Sequence, residues 1–287
     1  MDQQQDHIQA DLRGMLQGDV LVDDVSLQLY SSDASIFEIR PLGVVRPRGV
    51  KDVVATVEYA HEHNIPIHAR GAGTGLAGES LGPGLVIDFS KYMRRIIAIG
   101  DGVARVQPGV VHADLNRELA KTGRIFGPDP ATSSVTTMGS VIAVDASGSY
   151  WPQYGSARRH VESLQIVLSD GRLLEVGNEP LTGAAKAVDG RRELVGQLAE
   201  LVHAQASAIA DARPRSMVNR CGYHLSGVLE QGHLDLAKIV TGSEGTLALI
   251  TEATVRTQLL PRVRGVALLF FDRLESAATA ALQVPPL

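Results

Sequence analysis

The chain is poor in the residues that build disulfides, membrane spans and nucleic-acid surfaces. Cys221 is the only cysteine among 287 residues, which excludes an internal disulfide and a cysteine-built zinc or iron–sulfur site within the chain, and fits a reducing compartment. No apolar run is long enough to span a bilayer, and no run of Lys or Arg forms a basic stripe in a chain of net charge −5. The polar start, MDQQQDHIQADL, lacks the basic and apolar regions of a secretory signal. We therefore expect a cytoplasmic protein with no nucleic-acid partner and no membrane span; peripheral attachment to a membrane stays open.

Apolar patterning predicts strands and helices that mix along the chain without regular alternation. Val50, Val53, Val54, Val57 and Ala60 fall on one helical face between two apolar strands, which predicts a β-α-β unit. The predicted elements are strands at 42–47, 65–69, 85–89, 247–258 and 265–271, strand pairs turned at 100–102 and 170–171, and helices at 50–64, 111–121, 191–213 and 274–282. This mixture predicts an α+β fold in two lobes.

The stretch RGAGTGLAGES, residues 70–80, contains G-x-G-x-x-G but lacks the surroundings of a Rossmann motif. That motif needs a helix to start inside it, whereas Gly82-Pro83-Gly84 and the strand at 85–89 leave no room for one. A Walker A motif is excluded because no Gly-Lys-Ser/Thr follows. A glycine-rich loop between two strands instead allows consecutive backbone N–H groups to turn inward and bind an anion, and Arg70 adds charge. From spacing alone, phosphate binding and an unliganded surface loop stand equally open.

Two further loops have a related composition. FGPDPATSSVTTMGSVIAVDASGS, residues 126–149, joins a hydroxyl-rich loop to a short apolar turn at 138–144. Thr136 or Thr137 would cap this turn and leave N–H groups free for an anion. TGSEGTLALITEA, residues 241–253, is a Gly/Ser loop that runs into a strand. Each loop alone is ordinary, but three in one chain predict convergence on one extended polyphosphate cofactor.

Five motifs taken in order resemble the PCMH-type FAD-binding family, and in particular the FAD-linked 2-hydroxyacid dehydrogenases. That group includes D-lactate dehydrogenase, D-2-hydroxyglutarate dehydrogenase and the D subunit of glycolate oxidase. The motifs are VVRPRGVKDVV, RGAGTGLAGES, PDPATSSVTTMGSVIAVDASG, YGSARRHVESLQIVLSDG and GYHLSG…GSEGTLALITEA. The likeness covers about residues 24–282, and five motifs in the family's order make a chance resemblance improbable.

The resemblance implies a set of FAD-contacting residues in the three loops. The first loop would wrap the pyrophosphate, the second would line the flavin and its phosphates, and the third would close the adenine end. From the first loop these are Arg70, Gly71, Ala72, Gly73, Thr74, Gly75, Leu76, Gly78 and Ser80. From the second they are Pro128, Asp129, Thr132, Ser133, Thr137, Gly139, Ser140, Ala143 and Gly148. From the third they are Gly242, Glu244, Gly245 and Ile250.

The chain departs from the family's usual pattern at several of these places. Gly139-Ser140 stands where the family often has a Gly-Gly pair, Asp145 where it often has Asn, and Ala248 where it often has Gly. Ser140 would crowd a close backbone approach, and Asp145 would place a negative charge near the cofactor. Relatives with covalent flavin carry a histidine in the first loop, where this chain has Thr74 and Gly75. The resemblance therefore implies non-covalent FAD.

The function implied by the resemblance is that of the FAD-binding part of a flavin-dependent oxidoreductase. Such an enzyme moves a hydride from C2 of a small 2-hydroxy acid, of the D-lactate, glycolate or D-2-hydroxyglutarate type, to flavin N5 and passes the electrons to an acceptor. Two alternatives stay open: a non-catalytic FAD-binding subunit or fragment that needs a partner chain, and a flavin oxidase of another alcohol or sugar.

The implied domains divide the chain into four parts. They are an N-terminal helical extension at 1–39, a first FAD-binding subdomain at 40–107, a second at 108–260, and the beginning of a truncated substrate or cap domain at 261–287. A partner subunit, or a C-terminal cap and iron–sulfur region, would complete the enzyme, and the missing cap would supply the base that takes the substrate's hydroxyl proton.

No catalytic residue and no metal site is assigned from the sequence. His61 and His63 lie on the outer part of a predicted helix at a spacing that does not share a face, so we expect solvated histidines. His224 and His233 are single histidines in polar loops. Tyr223 either approaches the flavin or anchors a loop, and both roles stay open.

Overall fold

A computed structural model describes residues 3–181, 190–213, 216, 222–263 and 265–284. The α-helices of the described residues are α1 (Gln3–Met15), α2 (Asp24–Leu29), α3 (Val50–Glu62), α4 (His112–Ala120), α5 (Met138–Ala143), α6 (Trp151–Tyr154), α7 (Arg191–Ala204), α8 (Ala206–Asp211), α9 (Leu236–Val240) and α10 (Leu274–Gln283). The strands are β1 (Asp19–Leu21), β2 (Gly43–Arg46), β3 (Ile67–Arg70), β4 (Leu85–Asp88), β5 (Ile96–Gly100), β6 (Val103–Val106), β7 (Arg124–Ile125), β8 (Val161–Val167), β9 (Leu173–Val176), β10 (Asn178–Pro180), β11 (Leu229–Glu230), β12 (His233–Asp235), β13 (Leu249–Arg256) and β14 (Gln258–Leu259). No helix in the described part of the chain is both long enough and apolar enough to cross a bilayer. The mixture of elements confirms the α+β prediction.

The first lobe is a four-stranded sheet in the order β1-β2-β4-β3. Strands β2 and β3 each pair in parallel with β4, whereas β1 pairs antiparallel with β2. Helix α3 connects β2 to β3, which confirms the predicted β-α-β unit, and β4 lies between the two strands of that unit. Val53 and Val57 of α3 are buried against Ile87 of β4 and Phe89. Parallel strands buried in this way read as continuous apolar runs, as β4 does.

The second lobe is a five-stranded antiparallel sheet in the order β5-β6-β13-β8-β9. Gly100 pairs with Val103 across the two-residue turn Asp101-Gly102. Asp101 and Gly102 have φ values of 47° and 83°, the two positive angles that this tight hairpin turn requires. Strands β8 and β9 form the second predicted hairpin, with Gly171 in the loop at φ 86°. Both hairpin predictions are confirmed.

Helix α3 joins the two lobes. Val167 and Leu249 from the second sheet pack in the same buried cluster as Val53 and Ile87 from the first lobe. Strands β5 and β6 lie within the predicted 40–107 subdomain but belong to the second sheet, in which β5 pairs with β6 and β6 pairs with β13. The domain boundaries themselves stay a prediction.

Two predicted elements differ in the structure. The apolar run 265–271 is not a strand: it is irregular, and Phe270 is 91% exposed. A strand needs a hydrogen-bonded neighbour, and none of the described strands lies beside it. The predicted helix 191–213 is two helices, because Gln205 leaves helical geometry at φ −101°, ψ 13° between α7 and α8. Pro214, which was expected to close this helix, lies outside the described residues.

Candidate functional site

The three glycine- and hydroxyl-rich loops meet at one cavity of about 360 Å³. Its wall is built from the ends of β3 and β4, the loop and helix around α5, and the loop before β13. The predicted site residues that line it are Arg70, Gly71, Gly73, Thr74, Gly75, Leu76, Ser80, Thr132, Thr137, Gly139, Ser140, Ala143, Glu244, Gly245 and Ile250. The convergence expected from composition is thus present in the fold.

The first loop leaves β3 at Arg70 and reaches β4 at Leu85 with no helix between them. Gly73 has a φ of +67°, a region that residues with a Cβ rarely adopt. Gly71 lies so close to α5 that an added Cβ would be 2.3 Å from the hydroxyl oxygens of Thr137 and Ser140. Within the described part of the chain, the backbone N–H groups of residues 71–76 donate to no protein acceptor. These N–H groups therefore remain free to bind a ligand anion.

Arg70 is the one cation among the described residues that line the cavity. Its Nη2 donates to the carbonyl oxygen of Ser32 at 2.8 Å, and its guanidinium lies 5.2 Å from the centre of the Tyr30 ring. Its Nη1 is buried and has no hydrogen-bond partner in the described structure. A buried guanidinium N–H without an acceptor is costly unless a ligand supplies one, so Arg70 fits an anionic group in the cavity.

Helix α5 begins after Thr137, but the expected side-chain cap is absent. The Thr137 Oγ1 lies 3.1 Å from the Ser140 Oγ instead of accepting from the backbone. Thr137 is therefore the N-cap residue, as predicted, but its side chain does not cap the helix, because its hydroxyl pairs with that of Ser140 where Gly71 approaches. Gly139 packs against Pro108, since an added Cβ would lie 2.7 Å from the Pro108 Cβ.

The third loop is tied to the end of α5 by its backbone. The N–H of Gly242 donates to the carbonyl oxygen of Ile142 at 3.1 Å, and that of Glu244 donates to Ala143 at 2.9 Å. Burial raises the pKa of Glu244, and the nearby charge of Glu79 raises it further. Two carboxylates thus share the cavity with Arg70.

Some predicted site residues do not line the cavity. They are Ala72, Gly78, Pro128, Asp129, Ser133, Gly148 and Gly242. Several of them hold the loops together. Asp129 accepts from the Ser149 hydroxyl and the Tyr150 N–H, both at 3.1 Å. Gly148, at φ +83°, comes so close to Asp129 that a Cβ would lie 2.0 Å from its carbonyl oxygen. Their direct contact with a cofactor stays a prediction.

Other lining residues were not among the predicted site residues. They are Ala69, Glu79, Phe89, Pro108, Pro130, Thr136, Val141, Val144, Ala146, Ser243 and Ala248. Most adjoin a predicted residue in the chain, and Ala248 and Ile250 follow the two-residue period of a strand. Nothing in the sequence around Phe89 or Pro108 predicts that these residues line a cavity. They reach the cavity because β4 runs beside β3 and because Pro108 packs against α5.

Asp145 is buried and does not itself line the cavity, although its neighbours Val144 and Ala146 do; a charge near the cofactor at this position stays a prediction. Its carboxylate accepts the backbone N–H of Arg158 at 2.8 Å. The Arg158 guanidinium in turn donates to the carbonyl oxygens of Lys238 and His224. Asp145 and Arg158 therefore serve to connect the segments behind the site.

The remaining sequence candidates lie outside the cavity. His61 and His63 are exposed, and the His63 ring stacks on Tyr59. The Tyr223 hydroxyl lies 2.8 Å from the Thr246 Oγ1, a contact that anchors the 222–227 segment to the third loop. The described residues contain no cluster of three or more potential metal ligands.

Comparison with known proteins finds a family model, relatives and solved structures that this chain resembles. Residues 41–177 match the family described as FAD binding domain. D-2-hydroxyglutarate dehydrogenase of Escherichia coli is 34% identical over 91% of this chain and 26% of its own length. Glycolate oxidase subunit GlcD of Bacillus subtilis is 29% identical, over 87% of this chain and 44% of its own. The structure of an alkyldihydroxyacetonephosphate synthase, at 20% identity, superposes with a TM-score of 0.62 over 88% of this chain and 44% of that protein.

These findings confirm the predicted resemblance to the FAD-linked oxidase family, FAD as the cofactor and the fold class. The chain spans about a quarter of the length of the D-2-hydroxyglutarate dehydrogenases that it matches.

Proposed function

We propose that this chain, whose residues 41–177 match the family described as FAD binding domain, holds FAD in the described cavity as part of an oxidoreductase of small 2-hydroxy acids. The observation that carries the proposal is the glycine loop, whose N–H groups at 71–76 have no acceptor among the described residues and which begins at Arg70, whose Nη1 is likewise unpartnered there. The matched relatives are named for D-2-hydroxyglutarate, glycolate and D-lactate, which share a hydroxyl on the carbon next to a carboxylate.

The residues present fit FAD in three regions. Residues 70–76 offer backbone N–H groups and a guanidinium to the pyrophosphate. The lining residues around α5 and Phe89 offer an apolar wall for a planar ring, and Glu244 to Ile250 close the third side. When bound, FAD supplies a ring that accepts a hydride at N5. Residues 70–80 include neither histidine nor cysteine, which supports non-covalent attachment.

The cavity does not contain an obvious base for the substrate's hydroxyl proton. Its described lining holds Glu79 and Glu244 as titratable acids and no histidine, lysine or tyrosine. We therefore assign no catalytic residue. One matched relative is named as an oxidase subunit, which supports the proposal that a partner chain or further residues complete the substrate pocket and contact the electron acceptor.

The proposal is tested by the visible absorption spectrum of the purified chain, before and after addition of FAD, in the natural sequence and in Gly73→Val. A β-branched side chain at Gly73 would lie against Arg70, with its Cβ 2.6 Å from Nη2, and would block the approach of an anion. We expect Gly73→Val to lose flavin and to keep its far-ultraviolet circular dichroism.

The matched control is Gly123→Val. Gly123 has nearly the same φ, +68° against +67°, and so incurs the same backbone strain, but an added Cβ there meets nothing within 4 Å. Gly123→Val should retain flavin. Equal flavin content in all three proteins would refute the role of the glycine loop, and a colourless natural chain that takes up no FAD would refute the proposal itself. Slow reoxidation by air after reduction would favour a dehydrogenase over an oxidase.

A further inference from the structure

We infer that residues 30–39, which precede the matched family region, belong to the cofactor site because they fix the shape of the glycine loop. We call these residues the strap segment. The inference rests on the proposed function for the identity of the ligand, but its geometry stands independently. Three strap contacts involve the first residues of the loop, at Arg70 and Gly73, and two involve its end, at Gly78 and Ser80.

The backbone of the strap segment fixes a peptide group inside the loop. The N–H of Ala34 donates to the carbonyl oxygen of Gly73 at 3.0 Å. In a trans peptide the C=O and the following N–H point in opposite directions. This bond therefore turns the N–H of Thr74 away from the strap segment, and Thr74 lines the cavity. The strap segment thus holds the carbonyl side of the loop and leaves the N–H side for the ligand.

The strap segment also sets the direction of the Arg70 side chain. The Ser32 carbonyl accepts from Nη2 at 2.8 Å, and the Tyr30 ring lies beside the guanidinium. The Tyr30 hydroxyl donates in turn to the Asp88 carboxylate at 2.5 Å, which fixes the ring on β4. With Nη2 held on one side, the buried Nη1 is left as the donor without an acceptor.

The far end of the loop is held by Asp33 and Phe37. The Ser80 hydroxyl donates to one oxygen of the Asp33 carboxylate at 3.0 Å, and the Ser35 N–H donates to the other at 2.8 Å. An added Cβ at Gly78 would lie 2.9 Å from the Phe37 ring. Asp33 therefore joins the turn of the strap segment to the end of the glycine loop, and we assign it as a positioning residue for the cofactor.

The strap segment has little packing of its own that would explain these contacts as core structure. Ile36 is 95% exposed, and Phe37 and Ile39 are also exposed. The segment closes on itself through the bond from the Ile39 N–H to the Ser31 carbonyl, at 2.8 Å. Other bonds tie the segment to α2, where the Ser31 hydroxyl donates to the Gln28 carbonyl oxygen at 2.8 Å, and to β4 through Tyr30. The bonds of Ser32, Asp33 and Ala34 reach the glycine loop, so these three residues are where the strap segment supports the loop.

The test compares Asp33→Ala with Asp33→Asn and Asp23→Ala in flavin-free protein titrated with FAD, together with hydrogen exchange of the Ala34 amide before FAD is added. Loss of hydrogen bonds to a charged carboxylate should raise the Kd for FAD by about tenfold in Asp33→Ala and speed Ala34 exchange. Asp33→Asn keeps an acceptor oxygen and should stay within about threefold of the natural chain. Asp23→Ala removes a helix cap that contacts Ser26 and not the loop. It should change neither the Kd for FAD nor the exchange rate of the Ala34 amide.

A Kd for FAD that is unchanged in Asp33→Ala overturns the inference, whatever happens to exchange. If Asp33→Ala does not fold, Ser80→Ala removes the same bond from the side of the loop and carries the same expectation. Failure of the natural chain to take up FAD, with Ala34 still protected from exchange, refutes the proposed function and is seen without any variant. The two failures are therefore distinct.

Discussion

Two buried histidines behind the second loop should make the protein lose stability below neutral pH. His112 and His160 are 2% and 3% exposed, and their rings meet Phe126 edge-on, with centroids 5.9 and 5.5 Å away. The Nε2 of His112 lies 2.7 Å from the Pro128 carbonyl oxygen, and that of His160 lies 2.8 Å from the Tyr154 carbonyl oxygen. Because a carbonyl oxygen only accepts, each Nε2 carries the proton of the neutral ring. A second proton must go to Nδ1, which in His112 is buried with no partner in the described structure.

The sign of the effect follows from which state binds the proton. Burial lowers the pKa of both histidines from the ordinary 6.5. Between the lowered pKa and 6.5, the unfolded chain binds more protons than the folded protein. The free energy of unfolding therefore keeps its highest value above this pH window and decreases as the pH falls through it. Linkage limits the loss to about 1.4 kcal/mol for each histidine between pH 6.5 and 5.5, or about 2.8 kcal/mol for the pair.

The assay is urea unfolding at pH 7.5, 6.5 and 5.5 for the natural chain, His112→Gln, His160→Gln and His233→Gln. A glutamine amide can replace Nε2 as the donor but does not titrate. Between pH 6.5 and 5.5, the free energy of unfolding of His112→Gln and of His160→Gln should each decrease by up to about 1.4 kcal/mol less than that of the natural chain. His233 is exposed, and its variant should follow the natural chain. The raised pKa of Glu244 changes the free energy of unfolding in the opposite direction with pH. Because all four proteins contain Glu244, its contribution cancels when their pH dependences are compared. The same acid slope in His112→Gln, His160→Gln and the natural chain would refute the reasoning.

Two further predictions concern the loop and the core beside it. Arg70→Lys keeps the charge but loses the planar guanidinium, which can contact the strap segment and a ligand in the cavity at the same time. The Kd for FAD, measured by flavin titration, should therefore rise about tenfold. An unchanged Kd would show that charge alone suffices. Gly109→Ala places a Cβ 2.1 Å from the Phe89 carbonyl oxygen and 2.7 Å from that of Met93. It should lower the free energy of unfolding in urea by about 1–3 kcal/mol, whereas Gly196→Ala, on a helix with open space, should raise it by up to about 1 kcal/mol.

Features that depend on a few consecutive residues could be predicted from the sequence. The turn at Asp101-Gly102 needs two positive φ angles, which that pair readily supplies. The absence of a helix after Gly78 followed from Gly82-Pro83-Gly84, which cannot continue one. The glycine loop was placed correctly between β3 and β4 for the same local reason.

Features that depend on distant partners were missed or wrong. The run at 265–271 has the composition of a strand, but composition does not supply the neighbour that a strand must pair with. The sequence also does not show that the Asp145 carboxylate accepts the backbone N–H of Arg158, 13 residues further along the chain. Phe89 and Pro108 reach the cavity only through sheet order and helix packing, and the Ala34–Gly73 bond spans two separate predicted domains.

The charge of the cavity explains why the net charge of the chain gave no sign of an anion site. The described lining carries one cation, Arg70, against the carboxylates of Glu79 and Glu244, and burial, then the charge of Glu79, raises the pKa of Glu244. A lysine-rich loop would offer more charge but would have to order long side chains, each at a cost in rotamer entropy. Backbone N–H groups held by a strap on their carbonyl side need no such ordering, and they bind an anion through fixed dipoles that add nothing to net charge. In our proposal the glycines, with the strap segment behind them, therefore take the place of basic side chains, and an acidic chain of net charge −5 can hold a pyrophosphate.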